Sequence, residues 1–141
     1  MPWALALLLA MPGAPSQAGG AAPSCLKVGA TVSLHGRLIS RTFAGPPGYD
    51  SVRHGDAAEV TPVLRLGRPL CVTGLLGETD PTRHSIRELQ VLDVHDHLDA
   101  GQRAACRRVC VLTGQLVRAE SGHHHTPVMI EVGPQPKPDH H

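Results

Sequence analysis

Three consecutive histidines are the residues in this sequence best placed to do chemistry. They are His123, His124 and His125, in the segment GHHHTPVMIEV. If this segment is extended, alternate side chains share a face, so His123 and His125 lie together and His124 points the other way. Two imidazoles at this spacing can supply two ligands to Zn²⁺ or Cu²⁺. A metal site formed by His123, His125 and a third ligand such as His35 is therefore one hypothesis.

The same segment also allows an interpretation without a metal. Gly122 permits a tight turn, Thr126 and Pro127 can begin a strand, and the imidazoles can satisfy backbone groups of the loop. A third possibility is that the histidines contact a ligand or a partner. Only the metal hypothesis requires a cofactor, zinc or copper, and otherwise we predict none.

Tyr49 is the other candidate contact residue. It follows Pro46-Pro47-Gly48 in a stretch dense in glycine and proline, which predicts a long loop. The ring either packs on the protein and anchors this loop, or forms the tip of a recognition surface. We predict that Tyr49 and the three histidines form the ligand or partner contact.

Motifs of familiar catalytic sites are missing from the sequence. It contains no Gly-x-Ser-x-Gly elbow, no His-Glu-x-x-His pair and no phosphate-cradling glycine loop. Ser121, two residues before His123, has no identified orienting acid. We therefore predict no catalytic residue and do not favour an enzyme, although an unfamiliar active site is left open.

Composition limits the size of the protein and its partners. The 141 residues suffice for one domain, and the formal net charge of +1 does not suggest a nucleic-acid partner. Trp, Tyr and Phe occur once each, so the aromatic platforms of a single-strand binder are lacking. We predict no contact with nucleic acid.

The N-terminal residues suggest export. Trp3 to Met11 is an unbroken apolar run, too short to cross a bilayer, which takes about 20 residues. It suits the apolar region of a signal peptide, although no Lys or Arg precedes it. We predict a signal peptide over residues 1–22 and a periplasmic or secreted mature chain without a membrane span. The alternative is a disordered tail rich in Ala, Pro and Gly.

Four cysteines follow the predicted cleavage site. They are Cys25, Cys71, Cys106 and Cys110, and in an oxidising compartment an even number predicts two disulfides. Three pairings are possible. We favour Cys25–Cys71 with Cys106–Cys110, because the first would tie the mature N-terminus to the body of the fold. A thiol metal site is disfavoured, because no Cys-x-x-Cys pair occurs.

The hydrophobic pattern predicts a mainly β protein with one helix. Strands are predicted at residues 30–43, 63–66, 86–94, 109–119 and 127–132, and a helix capped by Asp96 within residues 95–108. The order, three strands, a helix and two strands, is that of a small five-stranded OB-like Greek-key barrel with one helix between strands 3 and 4. We predict this barrel over residues 23–133 and a disordered tail over 134–141. An open α+β sandwich is the alternative.

Two glycines support a curled sheet. Gly36 and Gly114 each lie two residues before a leucine within a predicted strand, in VSLHGRL and CVLTGQL. Glycine inside a strand is typical of a bend or a close backbone approach. We expect these two glycines at equivalent places in one barrel.

The sequence from about Cys25 to Val132 resembles a bacterial family of exported domains of unknown function, DUF4431. The resemblance rests on FAGPPGYDSVRHGD, LRLGRPLCV and VCVLTGQLVRAESGHHHTPVMIEV, in this order. It implies export, a small β-rich domain and a Cys25–Cys71 bridge, but no activity. Cys106 and Cys110 depart from the family pattern and look like additions.

Together these features predict an exported binding or accessory module of the bacterial envelope. Its partner would be a peptide, a glycan or an envelope protein. The alternative is a periplasmic zinc- or copper-binding protein that uses His123 and His125.

Overall fold

Strands dominate the described part of the chain, residues 13 and 24–136 of this computed structural model. The strands are β1 Leu26–Lys27, β2 Thr31–Ala44, β3 Ala58–Thr73, β4 His84–Leu92, β5 Cys110–Arg118 and β6 Val128–Val132. The helices are α1 Val94–His97 and α2 Ala100–Cys106, and a 3-10 turn spans Val52–His54. The helical prediction between β4 and β5 is thus confirmed, but as two short helices.

Five of these strands close into a barrel. β2 pairs antiparallel with β3, and β3 with β4. β4 pairs in parallel with β6, β6 antiparallel with β5, and β5 antiparallel with β2. With the helices between the third and fourth barrel strands, this is the predicted Greek-key barrel of the OB type. The short β1 adds in parallel to the end of β3, with Leu26 beside Val72.

Gly36 and Gly114 lie where a strand pairs on both sides. Gly36 faces Leu66 of β3 and Cys110 of β5, and Gly114 stands between β2 and β6 in the same way. A Cβ atom at Gly36 would come within 2.5 Å of the carbonyl oxygen of Arg65. A Cβ atom at Gly114 would likewise meet the carbonyl oxygen of Glu131. The expected close approach is therefore confirmed at both positions.

The second barrel strand is longer than predicted. We predicted residues 63–66, but β3 runs from Ala58 to Thr73 and passes through Pro69. The pairing of β3 with β4 shifts register between Arg65 and Leu70. Proline is tolerated at such an irregularity, because its missing N–H is not needed by a regular ladder.

The predicted helix cap at Asp96 is wrong. Asp96 lies inside α1, and α2 is capped by Asp99, whose Oδ1 accepts from the N–H of Gln102 at 2.8 Å. Gln102 returns the bond by accepting from the N–H of Asp99 at 2.8 Å, which completes a capping box. Leu98 separates the two helices because it is extended, at φ −120°, and its side chain is buried in the core.

The barrel interior is aliphatic. Its buried cluster comprises Val32, Leu34, Leu64, Leu66, Val72, Ile86, Leu89, Val91, Val94, Leu98, Cys106, Leu112, Leu116, Val128, Ile130 and Val132. These residues come from all five barrel strands and from both helices, so closure of the barrel and docking of the helices bury the same core.

The two predicted cysteine pairs lie at disulfide distance. The Cα atoms are 4.7 Å apart for Cys25–Cys71 and 4.8 Å apart for Cys106–Cys110. The first pair fastens the chain before β1 to β3. The second joins the end of α2 to the start of β5, and so fixes the helix against the barrel.

Three predictions concern segments at the chain ends. The predicted signal peptide over residues 1–22 lies outside the described residues, apart from Gly13, and so do residues 137–141 of the predicted disordered tail. Gln135, within that tail, is hydrogen-bonded through its side-chain amide to the backbone of Thr113. Among the described residues, no helix is long and apolar enough to cross a membrane.

Candidate functional site

The loop between β2 and β3, residues 45–57, is organised by Asp56. Its carboxylate accepts from the backbone N–H groups of Gly48, Asp50 and Ser51 at 2.7 to 2.8 Å. The bond from Ser51, with those from Asp50 and Gly48, holds the pKa of Asp56 below its usual range. This carboxylate fixes the backbone on both sides of Tyr49.

Tyr49 is held in an uncommon conformation. Its φ of 55° lies in the left-handed region, which costs a non-glycine residue about 1–2 kcal/mol. Its ring packs on Gly122 of the loop between β5 and β6, where a Cβ atom would come within 2.8 Å of two ring carbons. Gly122 therefore permits the close approach of the two loops, and Tyr49 remains 39% exposed.

The β5–β6 loop, residues 119–127, is fastened to the barrel by Gln90 of β4. The side-chain amide of Gln90 donates to the carbonyl of His123 at 3.0 Å and accepts from the N–H of His125 at 2.7 Å. The backbone N–H of Gln90 also donates to the hydroxyl of Thr126 at 2.9 Å. This buried polar network presents the histidines in one orientation.

Glu59 of β3 lies between two of the histidines. Its Oε1 is 2.5 Å from Nδ1 of His123, and its Oε2 is 2.6 Å from Nε2 of His125. The phenol oxygen of Tyr49 is 3.2 Å from Nε2 of His123. Phe43 stacks on His125 with ring centroids 4.5 Å apart. We call Tyr49, Glu59, His123 and His125 the loop junction.

The two histidines of the loop junction differ in exposure. The side chain of His123 is 61% exposed, that of His125 is 8% exposed, and that of Glu59 is 22% exposed. The hydrogen bond with His125, assisted by the bond and charge of His123, holds the pKa of Glu59 below its usual range despite partial burial. His125 thus serves mainly as an anchor, and His123 faces solvent.

Hydrogen bonds link Tyr49, His123 and Glu59 in a chain. An ionised carboxylate only accepts, so Nδ1 of His123 donates to Glu59. In the neutral imidazole, Nε2 of His123 then accepts from the hydroxyl of Tyr49. The phenol oxygen of Tyr49 keeps its lone pairs for a further partner, at a site open to solvent.

The geometry of Glu59 disfavours a shared metal ion. The two histidines bond different oxygens of Glu59, so the carboxylate stands between them where the metal would have to lie. Ligand atoms around tetrahedral zinc are about 3.3 Å apart, longer than these contacts. No group of three His, Cys, Asp or Glu side chains among residues 24–136 is arranged to hold a metal ion.

The other predicted residues lie elsewhere. Nδ1 of His124 accepts from the N–H of Glu120 at 2.9 Å, so His124 stabilises its own loop. His35 pairs with Val111 in the half of β2 that faces β5, whereas the loop junction adjoins the other end of β2. The structure thus brings together Tyr49, His123 and His125, and places His35 and His124 outside their contacts.

Sequence reasoning missed Glu59, Phe43 and Gln90. Each lies in a strand. Phe43 begins the segment FAGPPGYDSVRHGD, but the resemblance gave it no role, and no quoted motif contains Glu59 or Gln90. A weak signal existed for Glu59. It is a carboxylate at the start of a strand, and its neighbours Ala58 and Val60 carry no group that could pair with it. The hydrogen-bonding role of Gln90 had no local signal, because its partners are more than 30 residues away.

Comparison with known proteins adds one finding. The family model of the domain of unknown function DUF4431 matches residues 91–133, which confirms the resemblance over the part of the chain that contains the histidine loop. No curated protein matches the chain. No solved structure matches it either.

Proposed function

We propose that this protein is a binding module whose ligand site is the loop junction and the adjoining outer face of the barrel. One observation carries the proposal. OB barrels bind ligands with the loops that follow their first and fourth strands and with the face of strands 2 and 3. In this chain those two loops are the ones that Tyr49, His123 and Glu59 tie together.

The construction of the junction supports a recognition surface. Gln90 fastens the β5–β6 loop to the barrel, and the close contact of Tyr49 with Gly122 joins this loop to the β2–β3 loop, at the cost of a left-handed backbone at Tyr49. Exposed Tyr49 and His123 present a hydroxyl, an imidazole and an aromatic edge to solvent. Strain retained at an exposed, hydrogen-bonded tyrosine is a feature of functional sites.

Array binding with substituted proteins tests this proposal. Wild type, Tyr49→Ala/His123→Ala and His35→Ala would be applied to glycan and peptide arrays. We expect some array ligands to bind wild type and His35→Ala equally well, and to bind the double variant at least tenfold more weakly. His35→Ala is the matched control because His35 is an exposed histidine of β2 that lies away from the loop junction. Equal binding by the double variant, or no binding by wild type, would contradict the proposal.

We also propose that the module is exported and acts in the bacterial envelope. The apolar N-terminal run and the two cysteine pairs at disulfide distance support this location. Mass spectrometry of the protein from a periplasmic fraction should show a chain that begins near residue 23. Recovery of the intact chain from the cytoplasm alone would contradict export.

The metal-binding alternative is less well supported, because Glu59 occupies the ring nitrogens that face it. Zinc and copper would be added to metal-free protein, and the Tm followed. Binding to the native state alone would raise Tm with metal concentration. We expect no rise that depends on His123 and His125, and a rise lost in His123→Ala/His125→Ala would restore the alternative.

A further inference from the structure

A second polar cluster lies beside the loop junction on the outside of the barrel. Glu88 of β4 bridges Arg41 of β2 and Arg65 of β3. Its Oε1 accepts from Nη2 of Arg41 at 2.5 Å and from Nε of Arg65 at 2.9 Å, and it lies 2.9 Å from Nη2 of Arg65. The two arginine side chains are each 40% exposed.

The cluster shares its face with the loop junction. Leu38 of β2 and Leu64 of β3 face the core. Arg41 and Phe43 lie an odd number of residues from Leu38, so they point away from the core. Glu59 and Arg65 lie at odd spacings from Leu64 and point to the same outer face. Arg41 is about 7 Å along β2 from Phe43, whose ring stacks on His125. A ligand of a few units that contacts Tyr49 or His123 can therefore reach Arg41.

The cluster has more donors than its carboxylate can take. A guanidinium offers five N–H donors, and a single oxygen of Glu88 serves both arginines. The Nε of Arg41 is buried and has no hydrogen-bond partner. Arg41, Arg65 and Arg87 with Glu88 and Leu66 line an open depression of about 480 Å³, so three positive groups meet one negative group there.

We propose that Arg41 and Arg65 form an anion subsite that binds a carboxylate of an acidic oligosaccharide whose other units contact the loop junction. This inference rests on the proposed function. Glu88 bonds one side of each guanidinium group. The N–H groups that remain can donate to the two oxygens of a ligand carboxylate. Each arginine is pre-organised by Glu88, which reduces the loss of side-chain freedom on binding.

A saccharide suits this face better than a peptide. Peptides gain affinity by adding a strand to a free sheet edge, but β3 at Arg65 is paired on both sides, with Arg37 of β2 and with Glu88 of β4. The depression contains one apolar side chain, Leu66, among charged ones, so an apolar peptide anchor has little to fill. Hydroxyl-rich units can donate to the phenol oxygen of Tyr49 and pack on the exposed ring of His123, and a carboxylate matches the arginines.

Calorimetric titration with tetragalacturonate tests the subsite. The matched ligand control is the methyl ester of the same tetrasaccharide, which keeps the shape and loses the charge. We expect Arg41→Gln/Arg65→Gln to weaken tetragalacturonate binding at least tenfold. The control Arg108→Gln, at an exposed arginine after α2, should bind within twofold of wild type. Arg41→Lys/Arg65→Lys keeps the charge and should give an intermediate loss, in protein whose Tm shows it folded.

The outcomes separate this inference from the proposed function. If Tyr49→Ala binds tetragalacturonate as tightly as wild type does, while Arg41→Gln/Arg65→Gln does not, the subsite stands and the loop junction is not the ligand site. If the ester binds as tightly as the acid, the subsite is overturned and the proposed function stands. Arginine-dependent binding of tetraglutamate without binding of tetragalacturonate would overturn the saccharide assignment, as would no binding of either.

Discussion

Glu59 determines how the histidine segment behaves. Without it, His123 would keep only its contact with Tyr49, and His125 its stacking on Phe43. With it, each ring has a fixed partner on β3, so the β5–β6 loop is held to the strand that leads out of the β2–β3 loop. The histidines therefore act first as connectors between two loops, and only His123 is exposed enough to contact a ligand.

The lowered pKa of Glu59 predicts a pH-dependent stability. A carboxylate whose pKa is lower in the folded state stabilises the protein fully above the usual Glu pKa, about 4.3, and this contribution is lost as the pH falls through the lowered value. We expect Glu59→Gln to be less stable than wild type at pH 7 and the difference to shrink below about pH 4.5. Urea unfolding from pH 7 to pH 3 measures this.

The control for Glu59 is Glu120→Gln, a change at an exposed glutamate of the β5–β6 loop. It should leave the pH profile of unfolding close to that of wild type. A stability difference between Glu59→Gln and wild type that stays the same at every pH would show that the ionised carboxylate of Glu59 does not stabilise the fold.

Gln90 provides a second test at the level of single residues. Gln90→Leu keeps the volume but leaves the carbonyl of His123 and the N–H of His125 without their partner. We expect the free energy of unfolding to fall by about 3 kcal/mol, because unpaired buried groups cost more than a hydrogen bond contributes. Chemical denaturation measures it, with faster hydrogen exchange at the amide of His125 as a second readout.

The control for Gln90 is a glutamine on β5, Gln115. The side chain of Gln115 makes one hydrogen bond, to the carbonyl of Gly29 at 3.1 Å, on an exposed surface. Gln115→Ala should cost less than about 1 kcal/mol. Equal losses for the two variants would mean that Gln90 contributes no more than an ordinary surface amide.

At the scale of elements, the barrel closes through a strand that changes partner at a glycine. Residues 31–36 of β2 pair with β5, and residues 36–44 pair with β3, so Gly36 belongs to both ladders. The side of Gly36 that would carry a side chain is occupied by the backbone of Arg65. Backbone cannot rotate away as a side chain can, so this contact fixes the residue type.

Gly36→Ala should therefore destabilise the barrel by about 2–3 kcal/mol. Gly67→Ala is the matched control, because Gly67 is a strand glycine of β3 whose added Cβ would meet nothing within 4 Å. Its effect should stay within about 1 kcal/mol. Differential scanning calorimetry of both variants decides it, and a Gly36→Ala protein as stable as Gly67→Ala would show that the backbone adjusts there.

At the scale of the whole molecule, the two cysteine pairs differ in what they constrain. Cys25–Cys71 closes a sequence separation of 46 residues, and Cys106–Cys110 closes one of 4. Loop-closure entropy predicts that the longer loop restricts the unfolded chain more. The first pair is thus a constraint on the whole fold, whereas the second fixes α2 locally.

Removing each pair measures this difference. Replacing Cys25 and Cys71 with alanine should lower the free energy of unfolding by about 4 kcal/mol, and replacing Cys106 and Cys110 by about 2 kcal/mol. Denaturation of oxidised and reduced wild type provides the reference. A larger loss for the Cys106–Cys110 pair would show that docking of α2, and not chain entropy, dominates.

Several features follow from the sequence alone because they depend on near neighbours. Alternation of apolar and polar residues predicts the strands. Their order around the helical segment predicts the OB barrel without information on any tertiary contact. The glycines at 36 and 114 indicated where a strand is closely paired on both sides. The cap at Asp99 was also local, and Asp96 was predicted instead because the pattern did not show that Leu98 turns into the core.

Only the tertiary structure decided what the histidines do. Glu59 lies 64 residues from His123 and 66 from His125 along the chain, and nothing in either segment specifies the other. Their meeting depends on the closed barrel, which fixes the registers of β2, β3, β5 and β6 and so brings the loops at one end together. Local pattern determines which face a side chain occupies, whereas barrel closure determines which side chains from distant segments share that face.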